Sequence, residues 1–230
     1  MSMRLSRGLA EVWLATPDAA SRFDPSNLVG ADVDEWAAMR TMRRRLDWAS
    51  SRALLRAVPI SGDEKRSLSH SHGYAALVRE RGAAAVGVDV EWLAPRDFIG
   101  MADVAYTNAE TAYLVSINDP AELCSTFYEF WTLKEAFAKA LGMSLLDALR
   151  QCRFVDSSGA RRAEVPTTQP WRATVFAPRP QLRLAVVRMA GDPDPAGKLL
   201  RTSEWPKKKA DEWPVVLDLA SHNGRDGDAC

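Results

Sequence analysis

Histidine and cysteine are both scarce in this 230-residue chain, with three of each. Cys124, Cys152 and Cys230 form no Cys-x-x-Cys, and an odd number cannot pair completely. His70, His72 and His222 add no ligand spacing. A zinc site or disulfide framework needs closer spacing, so the thiols read as reduced and cytosolic. Net charge is also lacking, because thirty basic residues cancel thirty acidic ones. Without the basic excess that phosphate-backbone binding brings, nucleic acid is not an expected partner. No apolar run approaches membrane-spanning length, and Glu11 interrupts the apolar stretch after Arg4 and Arg7, so neither a membrane nor a secretory signal is expected. Neither Gly-x-x-x-x-Gly-Lys-Ser/Thr nor Gly-x-Gly-x-x-Gly occurs, which argues against P-loop and Rossmann nucleotide sites. What remains is ordinary globular composition, 47% hydrophobic and 26% charged, with room for one large domain or two small ones. A cytoplasmic protein is expected.

Hydrophobic periodicity divides the chain into two successive sets of elements. An opening strand is expected over 9–15. A helix runs from about Asp34 to Val58, carried by Met39, Met42, Leu46, Ala49, Ala53 and Ala57 and ended by Pro59. Its other face carries Arg40, Arg43, Arg44, Arg45, Arg52 and Arg56. Residues 67–73, Ser-Leu-Ser-His-Ser-His-Gly, read as the end of a loop. Strands at 74–78 and 84–91, with a turn at 80–82, suggest a hairpin. Helices follow over 103–118 and 121–141, with Gly142 as a stop. Strands over 153–155, 171–176 and 182–188 then make a small antiparallel sheet. These readings place an N-terminal half at 1–95 and a C-terminal half at 96–190. Residues 191–230, rich in Pro, Asp and Lys, read as a tail that is largely disordered or draped over the body.

Three constellations bear chemistry. In Gly87-Val88-Asp89-Val90-Glu91, strand alternation puts Asp89 and Glu91 on one face and the valines on the other. Adjacent carboxylates of this kind suit Mg²⁺ with substrate phosphate oxygens; a solvated strand end with two charges fits the spacing as well. On the helix through Phe127–Lys139, Trp131, Glu135 and Lys139 share a stripe, with Lys134 beside Trp131. That stripe could serve a phosphate–metal site or be an ordinary surface i,i+4 ion pair. Ser67–Gly73 offers hydroxyls and imidazoles to phosphate, but Ser and Gly are also plain turn residues. A Ser–His nucleophile pair there lacks glycine flanks and an orienting acid. The Arg43–Arg45 cluster is a solvated helix face or, by guanidinium geometry, a phosphate binder.

Taken in order, Gly-Val-Asp-Val-Glu, then after about forty residues Phe-Tyr-x-Phe-Trp-Thr-Leu-Lys-Glu-Ala-Phe-x-Lys-Ala-Leu-Gly, resemble the paired signatures of the 4′-phosphopantetheinyl transferase superfamily. Ser-Leu-Ser-His-Ser upstream resembles a third motif of its larger, two-half, surfactin-synthetase-activating type. The resemblance covers about residues 35–190. It implies an α+β fold, a pseudo-dimer of two similar halves, each a small antiparallel sheet packed with helices, with the site between them. It implies transfer of the phosphopantetheine arm of coenzyme A to a serine of an apo acyl or peptidyl carrier protein, releasing 3′,5′-ADP. By position, Asp89, Glu91 and Glu135 would hold Mg²⁺, or Mn²⁺, against the coenzyme A pyrophosphate. Lys134 and Lys139 would contact phosphates, with Ser69 and His70 reaching phosphate from the first half, and Trp131 packing the signature helix. Arg43, Arg44, Arg45 and Arg52 are candidates for the 3′-phosphate by their chemistry. Glu135 or a metal-bound water would take the serine proton, making Asp89, Glu135 and Lys139 the catalytic set. Two fused halves make a monomer sufficient.

The chain departs from the family pattern in two places. The Gly-Lys-Pro motif usual before the Ser-His segment is missing, leaving only Gly62 and Lys65. Ser144 also stands where relatives often have glycine. A non-catalytic paralogue that binds carrier protein or coenzyme A, or an Mg²⁺-dependent pyrophosphate hydrolase, are the competing readings.

Overall fold

The structure, a computed structural model, describes residues 9–59, 62–190, 199–206, 209–210 and 212–221. Along the chain come β1 (Leu9–Ala15), 3-10 turns at Pro17–Arg22 and Pro25–Asn27, α1 (Ala31–Ala38), α2 (Met42–Ala57), β2 (Glu64–Ser71), β3 (Tyr74–Arg81) and β4 (Ala85–Trp92). There follow α3 (Phe98–Ala105), α4 (Asn108–Val115), α5 (Pro120–Leu141), α6 (Leu145–Gln151), β5 (Arg153–Val155), β6 (Arg161–Glu164), β7 (Trp171–Phe176) and β8 (Leu182–Met189). Three strands close the series: β9 (Leu199–Trp205), β10 (Lys209–Ala210) and β11 (Val215–Ala220). The fold is α+β. A five-stranded sheet has the order β10-β9-β1-β3-β2 and a four-stranded sheet the order β11-β7-β8-β4. A separate ribbon joins β5 to β6.

Strand alternation explains how these pieces stack. In the first sheet, Ala10, Val12, Leu14, Ala76 and Val78 face one way and meet Val86, Val88, Val90, Leu182, Leu184 and Val186 of the second sheet. The alternate residues, Ala15, Ala75 and Leu77, turn outward onto Ala53 and Leu54 of α2. The second sheet likewise turns Ala173, Val175, Ala185 and Val187 onto Phe130, Leu133 and Phe137 of α5. Each sheet is therefore apolar on both faces, and the layers run α2, sheet, sheet, α5. Each of the two sheets has one long helix on its outer face.

Local signals set the helix ends. The single helix expected over 34–58 is two, because the chain extends at Met39 and restarts where the Thr41 side chain accepts the Arg44 N–H. The helix expected over 103–118 is also two, since Thr107 and Glu110 form a capping box that begins α4 afresh. For α5, Asp119 caps the first turn, Pro120 starts it, and Gly142 ends it in the left-handed region at φ 64°. Among the described residues, no helix is long and apolar enough to cross a membrane.

Three expectations give way. Residues 64–71 are a strand, and the hairpin is β2–β3, turning at His72-Gly73, not β3–β4. The hydroxyl-rich composition of β2 hid it, because its serines make the polar contacts described below. Second, β4 pairs with β8, so the sheets do not divide at residue 95. Third, the segment expected as a tail supplies a strand to each sheet: β9 runs parallel to β1, and β11 antiparallel to β7. Thr202, Ser203 and Glu204 are buried although polar, and β11 is a half-exposed edge, so neither segment looks like core. Residues 191–198, 207–208, 211 and 222–230 of that expected tail lie outside the described residues.

One glycine governs how closely α5 approaches β4. A Cβ at Gly87 would lie 1.9 Å from the Ala136 carbonyl oxygen and 2.9 Å from the Ala140 nitrogen, both backbone atoms that no rotamer change can move. Gly87→Ala is expected to lower stability by about 1–3 kcal/mol through overpacking and to push α5 away from β4. A thermal melt of the variant indistinguishable from wild type would show that the helix does not need that approach.

Candidate active site

The close approach of α5 brings two sets of charged side chains together. From β4, Asp89 and Glu91 project toward α5, while Val88 and Val90 are fully buried on the opposite face. From α5 come Glu135 and, one turn on, Lys139. One oxygen from each of Asp89, Glu91 and Glu135 lies within 4.8 Å of the other two. Lys139 Nζ donates to Asp89 Oδ1 at 2.9 Å and to the Val88 carbonyl at 3.0 Å, and lies 3.9 Å from Glu135 Oε2. The i,i+4 pair on this helix is thus drawn into a half-buried cluster around the buried Asp89.

The first half supplies the hydroxyls. Ser69 Oγ donates to Asp89 Oδ1 at 2.6 Å, and Ser71 Oγ donates to Glu91 Oε2 at 2.8 Å. Among the described residues, no group is a hydrogen-bond partner of Asp89 Oδ2, although Asp89 is only 1% exposed. An unpaired buried carboxylate oxygen is costly unless a cation completes it.

The electrostatics agree. Burial, and then the neighbouring Asp89 carboxylate, raise Glu91 to about 7, with Ser71, Arg96 and Lys139 pulling back. Burial, and then Asp89, raise Glu135 to about 8, against Lys139. Three acids so close together, with Lys139 beside them, repel one another. An all-oxygen donor set with an unpaired buried oxygen fits a hard divalent cation such as Mg²⁺, with Asp89, Glu91 and Glu135 as the residues that would hold it.

The other sequence-predicted residues fare differently. Lys134 is removed from the site: it is 0% exposed and points to the far side of α5. Its ammonium donates to Glu110 Oε2 at 2.9 Å, the Leu149 carbonyl at 2.9 Å and the Cys152 carbonyl at 2.5 Å, which uses all three of its N–H groups. Adjacent residues on a helix point about 100° apart, and these contacts hold Lys134 away from the cluster that Glu135 faces. Glu110, which the sequence did not single out, accepts from Lys134, from the Phe154 N–H and from Thr107. Arg52 is also committed elsewhere, bidentate to Asp32 and stacked over Trp48. Arg45 donates to the Met39 carbonyl and lies over Trp36. Arg43 approaches His72 Nδ1 at 3.2 Å, and Arg44 is exposed. His70 is exposed and, paired with Ala75 on β2, faces α2, opposite to Ser69. Trp131 stacks on Phe127 at 6.1 Å, which fits a packing role for it on α5. Lys65 is exposed at the start of β2.

Asp47 was also missed. It accepts the Gly73 N–H and so ties α2 to the β2–β3 turn, where Gly73 takes φ 82°. No short-range spacing announces such a link across 26 residues.

Two outcomes test this arrangement. Glu91 and Glu135 hold their protons more tightly folded than unfolded, where a glutamate titrates near 4.5. Their contribution to stability is therefore complete below about pH 4.5 and is lost as pH rises through 7 and 8. Thermal melts in a chelator should show Tm falling over that window, with Mg²⁺ restoring it and Glu135→Gln flattening it; a pH-independent Tm would contradict the crowding of the acids. Lys134→Met should cost about 3–5 kcal/mol by leaving Glu110 buried and unpaired, a fall in Tm on the order of 10 °C. A variant as stable as wild type would return Lys134 to the free cations.

A search of curated proteins finds no match to the chain. Residues 85–187, just under half of it, match the model of the 4′-phosphopantetheinyl transferase superfamily, and this stretch, from β4 through α5 to β8, is the one that carries Asp89, Glu91, Glu135 and Lys139.

Proposed function

We propose that this chain transfers the 4′-phosphopantetheine arm of coenzyme A to a serine hydroxyl of an apo acyl or peptidyl carrier protein, releasing 3′,5′-ADP, and that it is of the larger two-half type. The observation that carries the reading is the meeting of Asp89, Glu91 and Glu135, from a strand and a separate helix, around an unpaired buried oxygen. The family match over the same residues supports it. So does the first half, which reaches this cluster through Ser69 and Ser71.

Asp89, Glu91 and Glu135 would hold Mg²⁺. A bound Mg²⁺ neutralises charge on the pyrophosphate and on the departing 3′,5′-ADP, usually the main catalytic work of phosphoryl transfer. Lys139 is fixed by two of its N–H groups to Asp89 and the Val88 carbonyl, which leaves the third for a phosphate oxygen. The carrier serine attacks the pantetheine-side phosphorus, the bond from that phosphorus to the bridging oxygen breaks, and the serine proton passes to Glu135, the acid on the α5 side. Arg43 and Arg44, exposed on α2, are candidates for the nucleotide 3′-phosphate by their guanidinium chemistry.

Incubation with coenzyme A and Mg²⁺, with and without an apo carrier, followed by mass spectrometry of the carrier, tests the proposal. Modified carrier and 3′,5′-ADP formed together support transfer. Coenzyme A cleavage without carrier means a pyrophosphate hydrolase, and no product in either arm means a binding protein. Asp89→Ala and Glu135→Ala should each lower transfer by at least about a hundredfold while circular dichroism stays native; full activity would remove that residue from the mechanism.

A further inference from the structure

Edge strands β2 and β4 belong to different sheets, yet they run side by side, and serine side chains bridge them. Ser67 Oγ accepts the Val88 N–H at 3.1 Å, and Ser71 Oγ accepts the Trp92 N–H at 3.3 Å. Ser69 Oγ donates to Asp89 Oδ1, and Ser71 Oγ to Glu91 Oε2. The three serines are two residues apart, so strand alternation aims all of them at β4.

A hydroxyl has one proton. Ser69 gives its proton to Asp89, and Ser71 Oγ lies 2.8 Å from Glu91 Oε2 and 3.1 Å from His72 Nδ1, either of which takes its one proton, so neither hydroxyl has a proton left to donate to a phosphate oxygen. Asp89 Oδ1 is thereby held from two sides, by Ser69 and by Lys139, and the buried Oδ2 is the atom left over for a cation. From this we infer that Ser69 and Ser71 are positioning residues: contributed by the edge strand of the five-stranded sheet, they fix the orientation of two acids on the edge strand of the four-stranded sheet rather than contacting substrate. The inference rests on the divalent-cation reading of Asp89, Glu91 and Glu135. It makes the joining of the two sheets a condition for building the metal site.

The test is Mn²⁺ binding to the full chain without coenzyme A, followed by electron paramagnetic resonance of the free ion. Ser69→Ala should weaken Mn²⁺ about tenfold to a hundredfold, the usual effect of losing a partner behind a metal ligand, and Ser69→Thr should restore it. Ser67→Ala breaks a bridge of the same series that touches no carboxylate, and it should leave Mn²⁺ affinity unchanged. Ser71→Ala, acting through Glu91, carries the test if Ser69→Ala does not fold. If Ser69→Ala binds Mn²⁺ like wild type and only raises the KM for coenzyme A, Ser69 contacts phosphate and the inference fails alone. A wild-type protein that binds no Mn²⁺ overturns the cation reading and the inference together.

Discussion

Helix α5 lies so near strand β4 that one methyl group at residue 87 would drive into the Ala136 carbonyl. A helix normally stands off a sheet by the thickness of its side chains, and here that thickness is missing at a single point. The side chains flanking that point are Asp89 and Glu91 on the strand and Glu135 and Lys139 on the helix. Removing the spacer lets short carboxylate arms meet, and it lets Lys139 reach the Val88 backbone carbonyl. The site is thus tied to the close packing of helix on strand at Gly87.

Such packing creates an electrostatic liability. Three carboxylates with one lysine, largely removed from water, raise two of their own members to about 7 and about 8. The surrounding fold has to withstand that repulsion. Part of the resistance comes from buried ion pairs outside the cluster. Lys134–Glu110 anchors the back of α5 to α4 and β5. Arg188 on β8 meets Glu80 on β3 in a bidentate pair at 2.7 and 2.5 Å, which links the second sheet to the first. Buried pairs of this kind add little net stability over an apolar core, but each is strongly destabilising when one partner is lost, so they fix relative position.

The two sheets also meet at an edge, where serines on β2 take the place of a backbone ladder. Exposed edges of β-sheets invite unwanted pairing. Here β2 and β4 cover one another: Ser67 and Ser71 accept N–H groups of the β4 backbone, and Ser69 and Ser71 reach its carboxylates. At Ser71 one hydroxyl does both.

The sequence alone determined a good deal. Alternation placed Asp89 and Glu91 on one face with Val88 and Val90 opposite, and the 3.6-residue period put Glu135 and Lys139 on one stripe of a helix running to Gly142. The same periodicities, which depend only on local backbone geometry, gave helices and strands in two successive sets, and the resemblance to a known family implied the α+β class. Tertiary structure alone decided the rest. Lys134 and Glu135 are neighbours in the chain, and only the packing of α4 and β5 behind α5 shows that one is buried in an ion pair while the other faces the acids. Strand β2 looked like loop because of its hydroxyl-rich composition, whereas β9 and β11 looked like tail because their partners β1 and β7 lie far off in sequence, and hydrogen bonds to distant strands leave no local pattern. The meaning of Gly87 likewise depended on what lies opposite it, since a missing side chain carries no sign of the neighbour it admits.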